Sequence, residues 1–111
     1  MSPTGIIPTV TVFSKNDCSD CTSVKNAFIR KGVPFTEINV ENDTEPRKEF
    51  DGLTPLEYVI KTHGRKMPAV EATDDQWGVT FVGPRIDKII EIVKVFKNNG
   101  QLIPEALRQK V

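Results

Sequence analysis

The sequence is poor in cysteine and histidine and carries no net charge. Its 111 residues include 2 cysteines and 1 histidine, and 15 basic side chains balance 15 acidic ones. Two cysteines exclude the scaffold of a disulfide-stapled secreted domain, which needs several bridges that close longer loops. The balanced charge argues against nucleic acid or an anionic membrane surface as the main partner.

Long hydrophobic runs are also absent. No apolar stretch approaches the roughly 20 residues that a membrane-spanning helix requires, so we expect no membrane segment. Residues 1–5 lack the basic start and the apolar stretch of a secretory signal. We therefore expect a cytoplasmic, reducing location, and the chain length predicts a single domain with a modest core.

The two cysteines lie close together in the run Cys18-Ser19-Asp20-Cys21. A bridge across so short a loop removes little entropy from the unfolded chain, so its role is chemical rather than structural. The pair is predicted to lie where a strand ends and a helix begins, and the unpaired N–H groups of a first helical turn stabilise a thiolate. Cys18 is then the attacking nucleophile, and Cys21, one turn further along, is the resolving thiol.

Hydrophobic periodicity predicts a strand–helix–strand opening. Alternation of polar and apolar residues indicates strands at 9–13 and 35–40. The segment 19–31 has its apolar positions on one helical face, with Gly32 where a helix C-terminus requires it. A helix between two strands favours their parallel pairing through a right-handed crossover.

The middle of the chain predicts a helix in two pieces. A short helix is expected over 42–50. A second begins after a Thr54 N-cap, with Pro55 at its first position and Glu57 placed for a capping box, and ends before Gly64. Its predicted buried positions are Leu56, Val59 and Ile60.

The last third predicts a hairpin and a long helix. Strands at 68–72 and 77–82 flank a short turn, as in an antiparallel hairpin. A helix follows Gly83-Pro84, and the tail after it either forms a short helix beyond Pro104 or is mobile. The apolar stripe expected in the core comprises Ile86, Ile89, Ile90, Val93 and Phe96. The order βαβ–α–ββα predicts an α/β fold with one mixed four-stranded sheet flanked by helices.

Three segments resemble those of a known family. The run 12–21, with Lys15 three residues before the first cysteine, resembles the active-site segment of glutaredoxins. Segment 64–70 resembles the one that carries the cis-proline of thioredoxin-fold proteins, and segment 81–89 resembles the strand–turn–helix that closes the substrate site. The resemblance implies a monomeric thioredoxin fold of glutaredoxin type that catalyses dithiol–disulfide exchange.

The resemblance covers residues 8–97, which leaves 98–111 as an extension within a single domain 1–111. It implies a cis Met67–Pro68 bond that lets the Met67 backbone pair with an extended substrate, such as glutathione or a protein loop. The implied catalytic residues are Cys18 and Cys21, and the implied substrate-binding residues are Lys15, Arg65, Met67, Pro68, Gly83 and Arg85. Arg65, Lys66 and Arg85 form either a solvated surface or a positive rim for carboxylates.

The last segment departs from glutathione-using glutaredoxins, which carry Gly-Gly followed by Cys-Asp or a similar pair. Here the run Val82-Gly83-Pro84-Arg85 is more similar to the Gly-Phe-Arg-Pro-Asp run of NrdH-type redoxins. Those are reduced by thioredoxin reductase and serve ribonucleotide reductase, and the mixture is consistent with a phage-encoded or otherwise divergent member. We expect glutathione or thioredoxin reductase as electron source, disulfide-containing proteins as acceptors, including ribonucleotide reductase by resemblance only, and no tightly bound cofactor.

The cysteine pair is also compatible with functions that involve no disulfide exchange. A zinc site normally needs four ligands, and His63 is the only histidine that could join the pair. An iron–sulfur cluster could be carried between two chains, or a binding module could use the Met67–Pro68 groove without redox turnover. His63, expected in a solvent-facing loop, is assigned no role, and Trp77 is expected to pack against the hairpin.

Overall fold

The computed structural model describes residues 7–111, so the segment 1–5 that lacks a secretory pattern lies outside the described residues. The elements follow the predicted βαβ–α–ββα order: β1 (Thr9–Ser14), α1 (Ser19–Lys31), β2 (Thr36–Asn39), α2 (Pro55–Thr62), β3 (Ala69–Thr73), β4 (Gly78–Val82) and α3 (Ile86–Asn98). Short 3₁₀ turns occupy Lys48–Phe50 and Glu105–Leu107. Over the described range, no helix has the length and apolar character needed to cross a membrane.

The four strands form one mixed sheet in the order β2-β1-β3-β4. β1 pairs in parallel with β2, as expected for strands joined by a helix, whereas the β1–β3 and β3–β4 pairs are antiparallel. In this register Phe13 lies opposite Ala69, and Ala69 lies opposite Val82. The end of β1, the start of β3 and the end of β4 therefore meet at one edge of the sheet, which is where the site is built.

Each face of the sheet has its own core. On one face α1 and α3 pack over the central strands, and Trp77 packs against this core as expected. On the other face α2 covers a smaller cluster. The main core includes Val12, Val24, Phe28, Val70, Phe81, Ile92 and Phe96, and the smaller cluster comprises Phe13, Ile38, Val40, Phe50, Val59 and Ala69.

The helix predicted over 42–50 is wrong, because only the 3₁₀ turn at its end is helical. Pro46 offers no backbone N–H and pushes the residue before it away from helical angles. Arg47 is extended instead, and its side chain binds the carboxylates of Asp43 and Glu49. The second piece is correct, since α2 begins with the predicted capping box at Thr54.

The positions predicted to be buried in α2 and α3 are correct only in part. Ile86 and Ile90 of α3 are 64% and 49% exposed, and Leu56 of α2 is exposed as well. The buried face of α3 is carried by Ile89, Ile92 and Phe96. Because α3 has apolar side chains on more than one face, its periodicity does not decide which face turns toward the sheet.

The C-terminal tail packs across the end of α1. The N–H of Ile103 donates to the carbonyl oxygen of Gly32 at 2.8 Å, and the Arg108 guanidinium donates to the carbonyl oxygens of Ile103 and Arg30 at 2.7 and 2.9 Å. A 3₁₀ turn follows Pro104, in agreement with the short helix considered for this segment. The division into a core of 8–97 and an extension stays a prediction.

Candidate active site

Cys18 is the N-cap residue of α1. Its backbone is extended, and its Sγ accepts a hydrogen bond from the backbone N–H of Cys21 at 3.1 Å. The sulfur therefore faces the unpaired donors of the first helical turn, the environment that stabilises a thiolate. The two cysteines are joined by a disulfide bond.

The two sulfur-bearing residues differ in accessibility. Cys18 is partly exposed, whereas Cys21 is 1% exposed and belongs to the buried face of α1. Only the first of them is placed to meet an incoming disulfide. This asymmetry agrees with the order of attack and resolution expected from the sequence.

A set of side-chain hydrogen bonds holds the turn before Cys18. The backbone N–H of Asn16 donates to Oε1 of Glu41 at 2.6 Å, and the Asn39 amide donates to Oδ1 of Asn16 at 3.0 Å. These bonds join the β1–α1 turn to the loop that follows β2. Sequence reasoning missed this network, because its members are brought together only by the parallel pairing of the two strands.

The Met67–Pro68 peptide bond is cis, as the resemblance implied. Pro68 is buried, and its carbonyl oxygen accepts a hydrogen bond from the N–H of Gly83 at 2.8 Å. Since the neighbouring Ala69 pairs with Phe13, the Met67–Pro68 segment lies beside the strand that leads to the cysteines.

Gly83 passes beneath a lysine side chain. Its φ of +77° lies in the left-handed region, and a Cβ built there would be 3.2 Å from Cε of Lys66. The glycine thus permits both the turn and the close approach of Lys66. Arg85, two residues later, binds Asp87 at 2.9 and 3.1 Å, and this hydrogen bond holds the pKa of the Asp87 carboxyl below its ordinary value.

A small groove of about 140 Å³ gathers half of the predicted substrate-binding residues. Lys15, Arg65 and Met67 line it together with Val40, Glu41, Leu56 and Ile60. Pro68 follows Met67 directly, whereas Gly83 and Arg85 do not line this groove. Within residues 7–111 neither Lys15 nor Arg65 forms an ion pair, so the groove has two unpaired cations and one carboxylate, Glu41, beside its apolar side chains. Leu56, predicted to be buried, is exposed in this groove.

A second, polar cavity of about 550 Å³ opens directly beside the cysteines. Its lining includes both cysteines, Lys25 of α1 and Glu37 of β2. Oε2 of Glu37 accepts hydrogen bonds from Ser14 Oγ at 2.6 Å and from Lys25 Nζ at 2.8 Å. Partial burial raises the pKa of Glu37, but these two hydrogen bonds and the charge of Lys25 outweigh it and hold the pKa below its ordinary value. Neither Lys25 nor Glu37 was singled out from the sequence, although the i, i+4 spacing of Cys21 and Lys25 was a usable signal.

The expectation that His63 faces solvent is wrong. Its side chain is 8% exposed, and its Nε2 lies 2.7 Å from Oε2 of Glu71, which also accepts a hydrogen bond from the Tyr58 hydroxyl. Burial, followed by the hydrogen bond and charge of Glu71, raises the pKa of Tyr58 to about 12. None of these three residues lines the small groove or the polar cavity. The cluster is therefore part of the packing between α2 and β3.

Comparison with known proteins agrees with this geometry. The family model of glutaredoxin matches residues 10–77. Among solved structures the chain is similar to NrdH-redoxin from Escherichia coli, described as a glutaredoxin-like protein with a thioredoxin-like activity profile. The TM-score is 0.58 and the identity 28%, over 75% of this chain and 92% of that one. A buckwheat glutaredoxin–glutathione complex matches with a TM-score of 0.46 and 21% identity, over 88% and 76% of the two chains. A comparison with curated protein sequences gives no match.

Proposed function

This chain belongs to the glutaredoxin family, and we propose that it reduces protein disulfides and glutathione mixed disulfides through Cys18 and Cys21. The unequal accessibility of the two cysteines carries the proposal. Cys18 presents its sulfur at a helix N-terminus, and the buried Cys21 reaches only its neighbour. An exposed thiolate backed by a covered thiol is the arrangement that two-step exchange requires.

The exchange proceeds in two displacements. The Cys18 thiolate attacks one sulfur of the substrate disulfide, and the other sulfur leaves as a thiolate that is then protonated by solvent. The Cys21 thiolate then attacks Sγ of Cys18, which releases the second substrate thiol and forms the Cys18–Cys21 disulfide. Two electrons from an external reductant restore the dithiol, so the protein is a carrier between a donor and an acceptor.

Glutathione is the first candidate reductant. It is a short peptide with two carboxylates, and the groove beside Met67 has an apolar wall between Lys15 and Arg65. Both cations are available for carboxylate binding, whereas Arg85 is engaged with Asp87. These features support glutathione as co-substrate, with no tightly bound cofactor.

Thioredoxin reductase is the second candidate. The similarity to NrdH-redoxin, with its thioredoxin-like activity profile, favours this donor. Ribonucleotide reductase is then a candidate acceptor, in addition to other disulfide-containing proteins. Both donors operate in a reducing compartment, and we place the protein in the cytoplasm on that ground.

The deciding experiment follows NADPH consumption with a small disulfide acceptor. One reaction contains glutathione and glutathione reductase, and the other contains thioredoxin reductase. A Cys18→Ser variant accompanies each. Turnover only with glutathione supports the first donor, and turnover only with thioredoxin reductase supports the second. Turnover that does not depend on Cys18 in either system would contradict the proposed function.

A further inference from the structure

The polar cavity beside the cysteines carries a charge pair with no role in the exchange described above. Lys25 and Glu37 line it together with Cys21, and they are bonded to each other at 2.8 Å. We propose that Lys25 and Glu37 are positioning residues that set the pH at which Cys21 loses its proton and resolves the mixed disulfide. This inference rests on the proposed function.

Cys21 needs such help because its environment opposes ionisation. It is 1% exposed, and transfer of a thiol from water to a covered site disfavours the thiolate. Cys18 has the donors of the helix N-terminus, whereas Cys21 supplies one of those donors rather than facing them. The charges along the cavity are therefore the remaining influence on the second thiol.

Lys25 is on the same face of α1 as Cys21. Residues four apart on a helix have Cβ atoms about 5–6 Å from each other, so the ammonium group extends from a position next to the thiol. A positive charge at this range stabilises the thiolate, and the negative charge of Glu37 opposes it. Lys25 and Glu37 thus act on the ionisation of the thiol in opposite directions, and each charge can be removed separately by substitution.

The pair is held by hydrogen bonds although it is partly exposed, since the side chains of Lys25 and Glu37 are 25% and 37% accessible. Oε2 of Glu37 accepts from both Lys25 and the hydroxyl of Ser14, which is buried at the end of β1. The bond joins α1 to β2 along the cavity wall. Because both side chains are partly exposed, solvent and salt screen their effect on the thiol, and a modest shift is expected.

Other ionisable groups near the cavity are few. Lys15 and Asp17 of the β1–α1 turn line it and are exposed, and Asp20 precedes Cys21 on α1. The helix α3, which also packs against α1, contributes no side chain to the lining. Lys25 and Glu37 are the two charges of this set that are held by hydrogen bonds next to the buried thiol.

Cys21 resolves the mixed disulfide in a single displacement at Sγ of Cys18. The Cys21 thiol gives its proton to water in the cavity, and the thiolate attacks Sγ of Cys18. The bond between that sulfur and the substrate breaks, and the substrate sulfur leaves with the electron pair and is protonated by solvent. The Lys25–Glu37 pair affects only the first of these events.

Stopped-flow mixing of the reduced protein with the chromogenic disulfide dithiobis-nitrobenzoate separates the two displacements. The first release of coloured thiolate depends on reagent concentration and reports Cys18. The second is independent of it and reports Cys21, as its loss in Cys21→Ser verifies. The variants are Lys25→Met, Glu37→Gln, the conservative Lys25→Arg, and Lys94→Met, which removes an exposed lysine of α3 as a matched control.

We expect Lys25→Met to raise the midpoint pH of the second phase and Glu37→Gln to lower it, each by about half a unit. Lys25→Arg should keep the wild-type midpoint, and Lys94→Met should change nothing. The first phase should shift less. Opposite shifts separate a charge effect from structural damage, which would move both variants in the same direction.

Two results would overturn the inference while leaving the exchange intact. One is that the midpoints of Lys25→Met and Glu37→Gln equal that of Lys94→Met, and the other is that both midpoints move in the same direction. Absence of a Cys21-dependent second phase in the wild-type protein would instead contradict the proposed function itself. Circular dichroism of each variant confirms that the compared proteins are folded, and the downward shift expected for Glu37→Gln preserves the test if Lys25→Met does not fold.

Discussion

The carbonyl oxygen of Pro68 accepts a hydrogen bond from the N–H of Gly83 at 2.8 Å. This bond extends the pairing of β3 with β4 by one step beyond Ala69 and Val82. It joins the segment beside the cysteines to the turn that leads into α3. The geometry of this edge therefore depends on a glycine with a left-handed backbone.

Replacing Gly83 with alanine should destabilise this edge. A Cβ at φ +77° costs about 1 kcal/mol, and its contact with Lys66 is with a flexible side chain that can move. Urea unfolding measures the difference. Gly78→Ala is the matched control, since Gly78 has no positive φ and its added Cβ meets only an ordinary contact at 3.5 Å. Equal stability of the two variants would contradict the prediction.

The two cysteines should give different defects. Cys18→Ser removes the attacking sulfur and should abolish turnover. Cys21→Ser removes resolution, so a mixed disulfide with glutathione should persist on Cys18 and be visible by mass spectrometry. Recovery of a stable adduct on Cys21 in the Cys18→Ser protein would reverse the assigned roles.

The groove cations should affect substrate binding more than chemistry. Lys15→Gln and Arg65→Gln each remove one unpaired cation, and we expect KM for a glutathionylated peptide to rise about threefold to tenfold with kcat little changed. Added salt should raise the wild-type KM as well, because exposed charges are screened.

Arg85→Gln provides the comparison for these variants. Its guanidinium is paired with Asp87, so a smaller effect on KM is expected. A larger effect from Arg85 than from Lys15 and Arg65 would show that carboxylates bind at the α3 turn instead of in the groove.

Tyr58 should make stability depend on pH in the alkaline range. Its pKa is raised to about 12 in the folded protein, compared with about 10 in an unfolded chain. Between these values the unfolded chain has lost the proton that the folded protein retains, so this stabilisation is complete below about pH 10 and is lost as the pH rises toward 12. Urea unfolding of wild type and Tyr58→Phe from neutral to alkaline pH checks this, and a constant difference between them would contradict it.

The accuracy of the sequence-based predictions depended on how local the determining interactions are. The bounds of α1 were predicted to the residue, because Cys18 caps one end and Gly32, at φ +78°, ends the other. The helix over 42–50 failed because Pro46 interrupts it. Ile89, Val93 and Phe96 of α3 pack in the core as predicted. Ile86 and Ile90 are exposed against expectation, because the isoleucines of this helix differ only in what packs against them.

The same distinction applies to the site. The Cys18–Cys21 pair was predicted from four consecutive residues at a helix start, and its proposed order of action comes from the same residues. The Ser14–Glu37–Lys25 contacts join residues 23 and 12 positions apart in the chain. No local pattern indicates them, because they exist only once β1 and β2 have paired and α1 has packed beside them.

By itself the sequence determined the order of the elements, the reactive cysteine pair and the glycine and proline positions that shape the turns. Capping, periodicity and backbone restriction act over a few neighbouring residues, so they can be predicted without knowledge of the fold. The tertiary structure alone decided that Glu37 reaches Lys25 beside the cysteines, that Lys15 and Arg65 form no ion pair beside Met67 and that the His63 side chain lies against Glu71. Those properties depend on strand register and helix packing, which bring together residues that are distant in the chain.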